Sequence, residues 1–237
     1  MKLIVTGATG FVGKEIIRQS LLRSDITSIV ALARSPIPEA DKLSSGADSS
    51  KLKSVVIKDY DVYTDDVRKE LSGAAACIWT VAITPSKSST YEFDEVKRVC
   101  QTSTLEGMRA IHGAGPVSPF RFLYMSGIAA ERDQTKTPKR LAQYCLMRGE
   151  TENQVLALAK ELGGMEAAAV KPGYITKPGE FARSAMAAML RVTVGVPSID
   201  VADLVAVMLD QVVNGFEKDP LTSDDLVRLS EALPKPE

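Results

Sequence analysis

A glycine-rich turn close to the start of the chain constrains its fold more than any other feature. The apolar run Leu3–Val5 leads into Gly7, Gly10 and Gly13, and an amphipathic segment, 12–22, follows directly. This order of strand, glycine turn and helix lets the backbone approach a pyrophosphate and directs the N–H groups of a helix N-terminus at it. The sequence therefore predicts an α/β protein that opens with a dinucleotide-binding turn. A βα turn without a ligand is the alternative.

Each glycine has its own expected role in this turn. Gly7 lets the chain leave the strand sharply, Gly10 leaves space for the pyrophosphate, and Gly13 lets the helix pack close to the strand. Two residues separate successive glycines, whereas the ordinary fingerprint has one and then two. The residues predicted to contact the cofactor here are Gly7, Thr9, Gly10, Phe11, Val12 and Gly13.

Strand-like and helix-like segments alternate along the chain. Apolar runs predict strands at 2–6, 28–33, 54–57, 75–83, 120–126 and 166–171. Helical periodicity predicts helices at 11–23, 63–71, 91–113, 139–162, 200–214 and 222–233, and a short one at 180–191. Such alternation indicates βαβ units in a parallel sheet that is buried on both faces. We expect a single doubly wound Rossmann domain over 1–237, mostly parallel, with 172–198 and 215–237 forming a small C-terminal cap on the substrate side.

The bulk composition narrows the classes of partner. A net charge of −1 gives no electrostatic reason to bind nucleic acid or a membrane surface, and no apolar run is long enough to span a bilayer. The cysteines, Cys77, Cys100 and Cys145, are widely spaced, and the one histidine is His112. We therefore expect free thiols in a reducing, cytoplasmic compartment and no metal site. The first strand follows Met1 at once, so no leader peptide is expected.

The residue that follows the second predicted strand bears on the choice of cofactor. An acidic side chain there would accept the ribose hydroxyls of NAD(H), but the chain has Arg34 followed by Ser35. A planar guanidinium suits a 2′-phosphate, and the serine hydroxyl adds a donor. NADP(H) is therefore expected to be preferred over NAD(H). The alternative is that Arg34 is a solvated charge at the end of a strand.

Two strings carry a family resemblance. TGATGFVG, at 6–13, resembles the extended and atypical branches of the short-chain dehydrogenase/reductase superfamily, which bind NAD(P)(H) in a Rossmann fold. YCLMRGETE, at 144–152, is most similar to the NmrA-like and TIP30-like atypical members. The resemblance implies an adenine contact from Asp59, for which a turn-forming role is the alternative. It implies further cofactor contacts from the neighbouring Tyr60, from Thr80, Val81 and Ala82 after the fourth strand, and from Pro172, Gly173 and Ile175 around a Pro-Gly turn.

The catalytic element of that superfamily is Tyr-x3-Lys on one helix, in which lysine lowers the pKa of the tyrosine and holds the ribose. Tyr144 matches the tyrosine, and Arg148 stands where lysine belongs. A serine that orients the substrate carbonyl falls on Gly127, so Ser126 serves only if the strand ends in a bulge. A core tyrosine and a structural hydroxyl are the alternatives for Tyr144 and Ser126. Conceivable substitutes for the missing ammonium are Lys136, Lys139 and Lys171.

Three functions remain open at this point. The first is an NADPH-dependent oxidoreductase that acts on a small carbonyl or conjugated substrate, with Tyr144 as proton donor and Arg148 as its partner. The second is a non-redox isomerase or cyclase on the same scaffold, which uses the pocket for positioning. The third is a regulatory, redox-sensing protein whose bound dinucleotide is read by a partner. Besides a small-molecule substrate, a homodimer or a regulatory protein partner is left open.

Overall fold

Six parallel strands form the main sheet in this computed structural model, which describes residues 1–37, 47–177, 179, 186, 189 and 195–233. The strands lie in the order β3-β2-β1-β4-β5-β6. This is the arrangement of a doubly wound α/β protein, in which the order reverses beside β1 and ligands bind at the carboxyl ends of the strands. The strands are β1 Lys2–Thr6, β2 Ser28–Ala33, β3 Leu52–Val56, β4 Ala76–Trp79, β5 Phe120–Met125 and β6 Met165–Val170.

Helices cover both faces of the sheet. One core layer includes Ile16 and Val205 from helices on one face, and the other includes Val67, Met108 and Val155 from helices on the opposite face. The central strands β1, β2 and β4 are buried on both faces and are mostly apolar, whereas the edge strand β3 is only partly buried. The helices are α1 Phe11–Leu22, α2 Asp65–Leu71, α3 Pro85–Ser88, α4 Phe93–Lys97, α5 Ser103–Gly113, α6 Ala142–Leu162, α7 Val201–Asn214 and α8 Ser223–Ala232. A 3-10 turn spans Ser49–Lys51, and a π-helical turn, Arg98–Thr102, joins α4 to α5.

The expected α/β fold is confirmed, and several elements differ from their predicted bounds. The fourth strand ends at Trp79 because the backbone N–H of Thr80 donates to the side chain of Thr6 instead of continuing the ladder. The helix predicted over 91–113 is interrupted by the π-helical turn. Most of the helix predicted over 180–191 lies outside the described residues.

The segment that follows α7 extends the main sheet. Leu221 forms a parallel bridge with Val170; its N–H donates to Ala169 and its carbonyl accepts from Lys171. Two short strands, β7 Tyr174–Thr176 and β8 Ser198–Asp200, form a second, parallel pair. The carboxylate of Asp200 then caps α7 by accepting from the N–H of Ala202 at 2.8 Å. No helix in the described part of the chain combines the length and the apolarity that crossing a bilayer demands.

Candidate functional site

The three glycines of the first turn have unequal surroundings. Gly7 has φ +64°, and a Cβ placed on it would lie 2.5 Å from Oγ1 of Thr80. A Cβ on Gly13 would lie 2.3 Å from the carbonyl oxygen of Gly7. A Cβ on Gly10 would instead meet one described atom within 4 Å, that same oxygen at 3.0 Å. The fold itself therefore requires glycine at 7 and 13, whereas the open side of Gly10 leaves space for a ligand.

The N-terminus of α1 fits an anionic group. In the described structure its N-cap, Gly10, supplies no side-chain hydrogen bond, and its first turn, which includes Phe11 and Val12, contains no acidic residue. The positive end of the helix dipole is therefore not neutralised by a carboxylate of that turn. Thr9 is half-buried beside the exposed Gly10. These residues fit the pyrophosphate of a dinucleotide.

Tyr60 supports the turn from beneath. Its hydroxyl accepts from the N–H of Gly7 at 3.2 Å and donates to the carbonyl of Leu32 at 3.0 Å. The ring is buried and packs edge-on against Trp79, and this burial raises the pKa of the phenol. Tyr60, a predicted cofactor contact, is thus placed where it fixes the turn relative to β2.

The end of β4 is tied to β1. The hydroxyl of Thr80 donates to the carbonyl of Thr6 at 2.7 Å, so this predicted contact residue is already engaged within the fold. Val81 and Ala82 follow it and are half-buried. Arg34 and Ser35 lie directly after β2 and are exposed. Near the turn, the Thr80 side chain is therefore bonded within the fold, whereas the side chains of Arg34 and Ser35 are accessible.

Asp59 follows β3 and pairs with Arg98, a residue that no sequence motif indicates. Nη1 of Arg98 lies 2.9 Å from each oxygen of the Asp59 carboxylate, and Oδ1 also accepts from the N–H of Asp61 at 3.3 Å. The turn-forming role and an accessible carboxylate thus coexist at Asp59. Helical periodicity places Arg98 in a long helix, but no local signal indicates that it reaches a residue 39 positions earlier.

The Pro-Gly turn after β6 packs tightly against the C-terminal region. Pro172 is buried, and a Cβ on Gly173 would lie 2.1 Å from the carbonyl of Pro197. The N–H of Gly173 donates to the hydroxyl of Ser223 at 3.3 Å. Ile175 lies in β7 and packs against the core. Gly173 is therefore required by a close backbone approach, and the turn holds a fixed position at the carboxyl edge of the sheet.

Tyr144 lies on the first turn of α6 in a small apolar cluster with Val96, Cys100 and Met147. The side chain is 8% exposed, and its hydroxyl donates to the carbonyl of Ile83 at 2.9 Å. Desolvation by this burial raises the pKa of Tyr144 to about 12, against a smaller lowering by the charge of Arg148. The phenol is thus protonated at neutral pH, and its proton is directed at a backbone carbonyl.

Arg148 lies one turn further along α6 and is 3% exposed. Its Nη2 donates to the carbonyl of Met125 at 2.7 Å, and the guanidinium lies 4.9 Å from the ring centroid of Tyr124. Nη1 is buried without a hydrogen-bond partner among the described residues. The structure places the predicted pair, Tyr144 and Arg148, together on one side of α6. Arg148 is buried on that side, and its positive charge opposes the rise in the pKa of Tyr144.

Ser126 belongs to a buried polar network. Its hydroxyl donates to Glu152, which is 0% exposed and also pairs with Arg132 at 2.6 Å and with Lys171 at 3.5 Å. Arg132 in turn pairs with Asp219 at 2.7 Å. These contacts favour the structural interpretation of the Ser126 hydroxyl. They join β5, α6 and the segment after α7, three parts of the chain whose proximity no local pattern indicates.

The other candidate cations occupy different positions. Lys171 donates to the carbonyl of Ala130 at 2.6 Å, Lys136 pairs with Glu131 at 3.3 Å, and Lys139 is exposed. A Cβ on Gly127 would meet nothing within 4 Å, so no packing among the described atoms requires glycine there. Across the described ranges, no group of three or more potential ligand residues could hold a metal ion.

Comparisons with known proteins identify the family and the fold. A family model described as NAD(P)H-binding matches residues 7–212, a range that includes the glycine turn, Tyr144 and the Pro-Gly turn. The leucinostatins biosynthesis cluster protein T of Purpureocillium lilacinum is 35% identical over 80 residues. That match spans 34% of this chain and 27% of the relative.

Two solved structures show the same fold. MoeE5, in complex with UDP-glucuronic acid and NAD, has a TM-score of 0.68 and 18% identity, over 98% of this chain and 82% of that one. Vestitone reductase from alfalfa (Medicago sativa L.) has a TM-score of 0.67 and 18% identity, over 93% of this chain and 76% of that one. At this identity the likeness concerns the α/β fold alone.

Proposed function

The chain belongs to the NAD(P)H-binding family, and we propose that it is an oxidoreductase that uses NADP(H) on a small carbonyl or conjugated substrate. The observation that carries the proposal is the glycine turn, where Gly10 faces open space before a helix without a side-chain cap. Gly7, Thr9, Gly10, Phe11, Val12 and Gly13 would hold the pyrophosphate, and Thr80, Val81, Ala82, Pro172, Gly173 and Ile175 would border the nicotinamide end.

The proposed preference for NADP(H) rests on Arg34 and Ser35. Both are exposed directly after β2, the strand whose end adjoins the adenosine ribose in dinucleotide-binding sheets. The guanidinium of Arg34 would pair with the 2′-phosphate, and the Ser35 hydroxyl would add a donor. A charge-assisted contact of this kind contributes about 1.5–3 kcal/mol, or roughly 10- to 100-fold in affinity.

In the proposed reaction the cofactor supplies the hydride chemistry and the chain supplies orientation and a proton. Tyr144 would donate its phenolic proton to the substrate oxygen after exchanging its hydrogen bond to Ile83 for one to substrate. Arg148, fixed by Met125 and stacked on Tyr124, would stabilise the phenolate that remains. Ser126 would act through its contact with Glu152, by holding the end of β5 in place.

Binding and turnover measurements test the proposal together. Calorimetric titration of the purified chain with NADPH and with NADH should give at least tenfold tighter binding of NADPH, and Arg34→Ala should remove most of that difference. A panel of aldehydes, ketones and enones should then reveal substrates that consume NADPH. Equal affinities for the two cofactors would refute the NADP(H) preference, and binding without turnover of any panel member would refute the reductase.

A second candidate is a regulatory protein that senses the dinucleotide and passes its state to a protein partner. Two contacts and one pKa shift favour it. The Tyr144 hydroxyl donates to Ile83, the Ser126 hydroxyl donates to buried Glu152, and burial raises the pKa of Tyr144 to about 12. Under this hypothesis NADPH binds and is not oxidised. Limited proteolysis with NADP+ or NADPH bound should then show different cleavage patterns, whereas identical patterns would argue against a sensor.

A further inference from the structure

A cluster of charged side chains joins the end of β3 to the helical segment after β4. Nη1 of Arg98 donates to both oxygens of Asp59 at 2.9 Å and to Asp61 at 2.6 Å. Its Nε and Nη2 each donate to Glu95 at 2.8 Å, and the Ser103 hydroxyl donates to Asp61. One guanidinium therefore holds three carboxylates in a fixed relation.

The cluster is coupled to the glycine turn through adjacent residues. Asp59 directly precedes Tyr60, whose hydroxyl accepts from the N–H of Gly7 and donates to Leu32. The backbone at Asp59 is thus fixed relative to the residues that would hold the pyrophosphate. Since β2 lies between β3 and β1 in the sheet, Asp59 follows a strand that lies on the β2 side of that turn.

The exposure of these side chains argues against a purely structural role for the cluster. The side chain of Asp59 is 46% exposed and that of Arg98 is 38% exposed. Ion pairs at such exposure contribute little to stability, so the fold gains little from ordering them. Arg98 also begins the π-helical turn, a conformation that is frequent at functional sites. Both observations point to a role toward a ligand.

Asp59 retains capacity for one more donor. A carboxylate accepts about four hydrogen bonds. Three contacts to Asp59 are present, two from Arg98 and one from the N–H of Asp61, and Oδ2 takes part in one of them. The guanidinium thus fixes the plane of the carboxylate while a lone pair of Oδ2 remains for an N–H of a bound base.

We propose that Arg98 is a positioning residue for the adenine end of the dinucleotide: it orients Asp59 so that Oδ2 accepts from the exocyclic amino group. The inference rests on the dinucleotide binding in the proposed function and is independent of any reduction. It gives Arg98 no contact with the cofactor. It predicts that Arg98 affects affinity only for cofactors that carry this amino group.

The test compares NADPH with its deamino analogue, in which hypoxanthine replaces adenine and the amino group is absent. Dissociation constants for both are measured by fluorescence titration of the full chain. The wild type should bind NADPH about tenfold more tightly than the analogue, the range for one hydrogen bond to a charged group. Arg98→Gln should remove that difference by weakening NADPH binding while leaving analogue binding within about twofold. Arg109→Gln is the control, since Arg109 is exposed on α5 and pairs with Glu106 at 3.0 Å.

The outcomes separate positioning from a general structural role. Equal weakening of both cofactors by Arg98→Gln, or no discrimination by the wild type, overturns the inference. If circular dichroism shows that Arg98→Gln does not fold, Arg98→Lys keeps the charge without the fork, and it should lose most of the discrimination while still binding the analogue. Failure to bind either dinucleotide would overturn the proposed function as well, whereas binding without turnover would leave this inference intact.

Discussion

The carboxyl edge of the sheet has two unlike halves, which we call the open half, around β1 to β3, and the closed half, around β4 to β6. Around β1 to β3, backbone and side chains face outward: Gly10 is open, α1 begins without a side-chain cap in the described structure, and Arg34 is exposed. Around β4 to β6, polar side chains are bonded to one another or to backbone. Tyr144 donates to Ile83 there, and Ser126 donates to Glu152.

This difference indicates that the open half has space for a ligand, whereas the hydroxyls of Tyr144 and Ser126 in the closed half are bonded within the fold. The N-terminus of α1 directs the positive end of its dipole at this space, although the N–H groups of Gly7 and Gly10 are already bonded within the fold. Beside α6, Nη1 of Arg148 is buried without a hydrogen-bond partner among the described residues, whereas Tyr144 and Ser126 are bonded. A substrate would have to replace an existing hydrogen bond to reach either hydroxyl. Under the proposed function, proton transfer would therefore require Tyr144 to give up its hydrogen bond to Ile83.

The largest effect is expected in the open half, where Gly10→Val should abolish cofactor binding. Gly10 has an ordinary φ of −75°, and the Cβ of Gly10→Val would lie 3.0 Å from the carbonyl oxygen of Gly7, a tight contact that a small shift relieves. The side chain would occupy the space proposed for the pyrophosphate. Gly13→Val is the matched contrast, because its Cβ would collide with Gly7. Calorimetry and thermal melting should show a folded non-binder in the first case and a destabilised chain in the second. NADPH binding by Gly10→Val would mean that the turn is only structural.

The closed half should respond to removal of the Tyr144 hydroxyl. If Tyr144 is the proton donor, Tyr144→Phe should lower turnover by about 10²–10⁴-fold, the usual contribution of a positioned general acid. Arg148→Lys should retain or raise activity, because it restores the Tyr-x3-Lys pair. Both are assayed by NADPH consumption under saturating substrate. Full activity in Tyr144→Phe would make α6 a wall of the pocket with no chemical role.

Glu152 tests whether the closed half is held together by its network. Glu152→Ala should lower the free energy of unfolding by about 1.5–3 kcal/mol, because the buried Ser126 hydroxyl loses its charged acceptor and Arg132 loses one of its two carboxylates. Urea unfolding provides the measurement. Glu150→Ala is the control on the same helix, since Glu150 is partly buried and accepts from Gln154 at 2.9 Å. Equal losses in the two variants would show that the network has no special weight.

The smallest expected effect concerns the pH profile, in which we expect no ionisation of Tyr144 near neutral pH. Burial raises the pKa of Tyr144 to about 12, so this phenol keeps its proton in the folded chain at pH values where a solvated tyrosine loses it. The contribution of Tyr144 to kcat/KM should therefore be flat from about pH 6 to 10, and stability should fall as pH rises from about 10 to 12. A wild-type ionisation near pH 7 that disappears in Tyr144→Phe would show that a bound ligand lowers this pKa.

Local patterns predicted most of the fold. Runs of apolar residues located β1 and β2 at their observed bounds, because strands buried on both faces leave a continuous signal. The fourth strand is shorter than predicted because Thr80 bonds to Thr6. The π-helical turn at Arg98 and the bridge between Leu221 and Val170 left no periodic signal.

In the candidate site, too, some features follow from adjacent residues and others depend on tertiary packing. The sequence by itself determined the glycine turn, because a sharp turn, a close approach and a helix N-terminus are properties of adjacent residues. Only the tertiary structure decided the partners of the polar side chains: Arg98 for Asp59, Glu152 for Ser126 and Ile83 for Tyr144. Those pairs join residues 26 to 61 positions apart, and the hydrogen bonds that fix a proton or a carboxylate depend on how the elements pack.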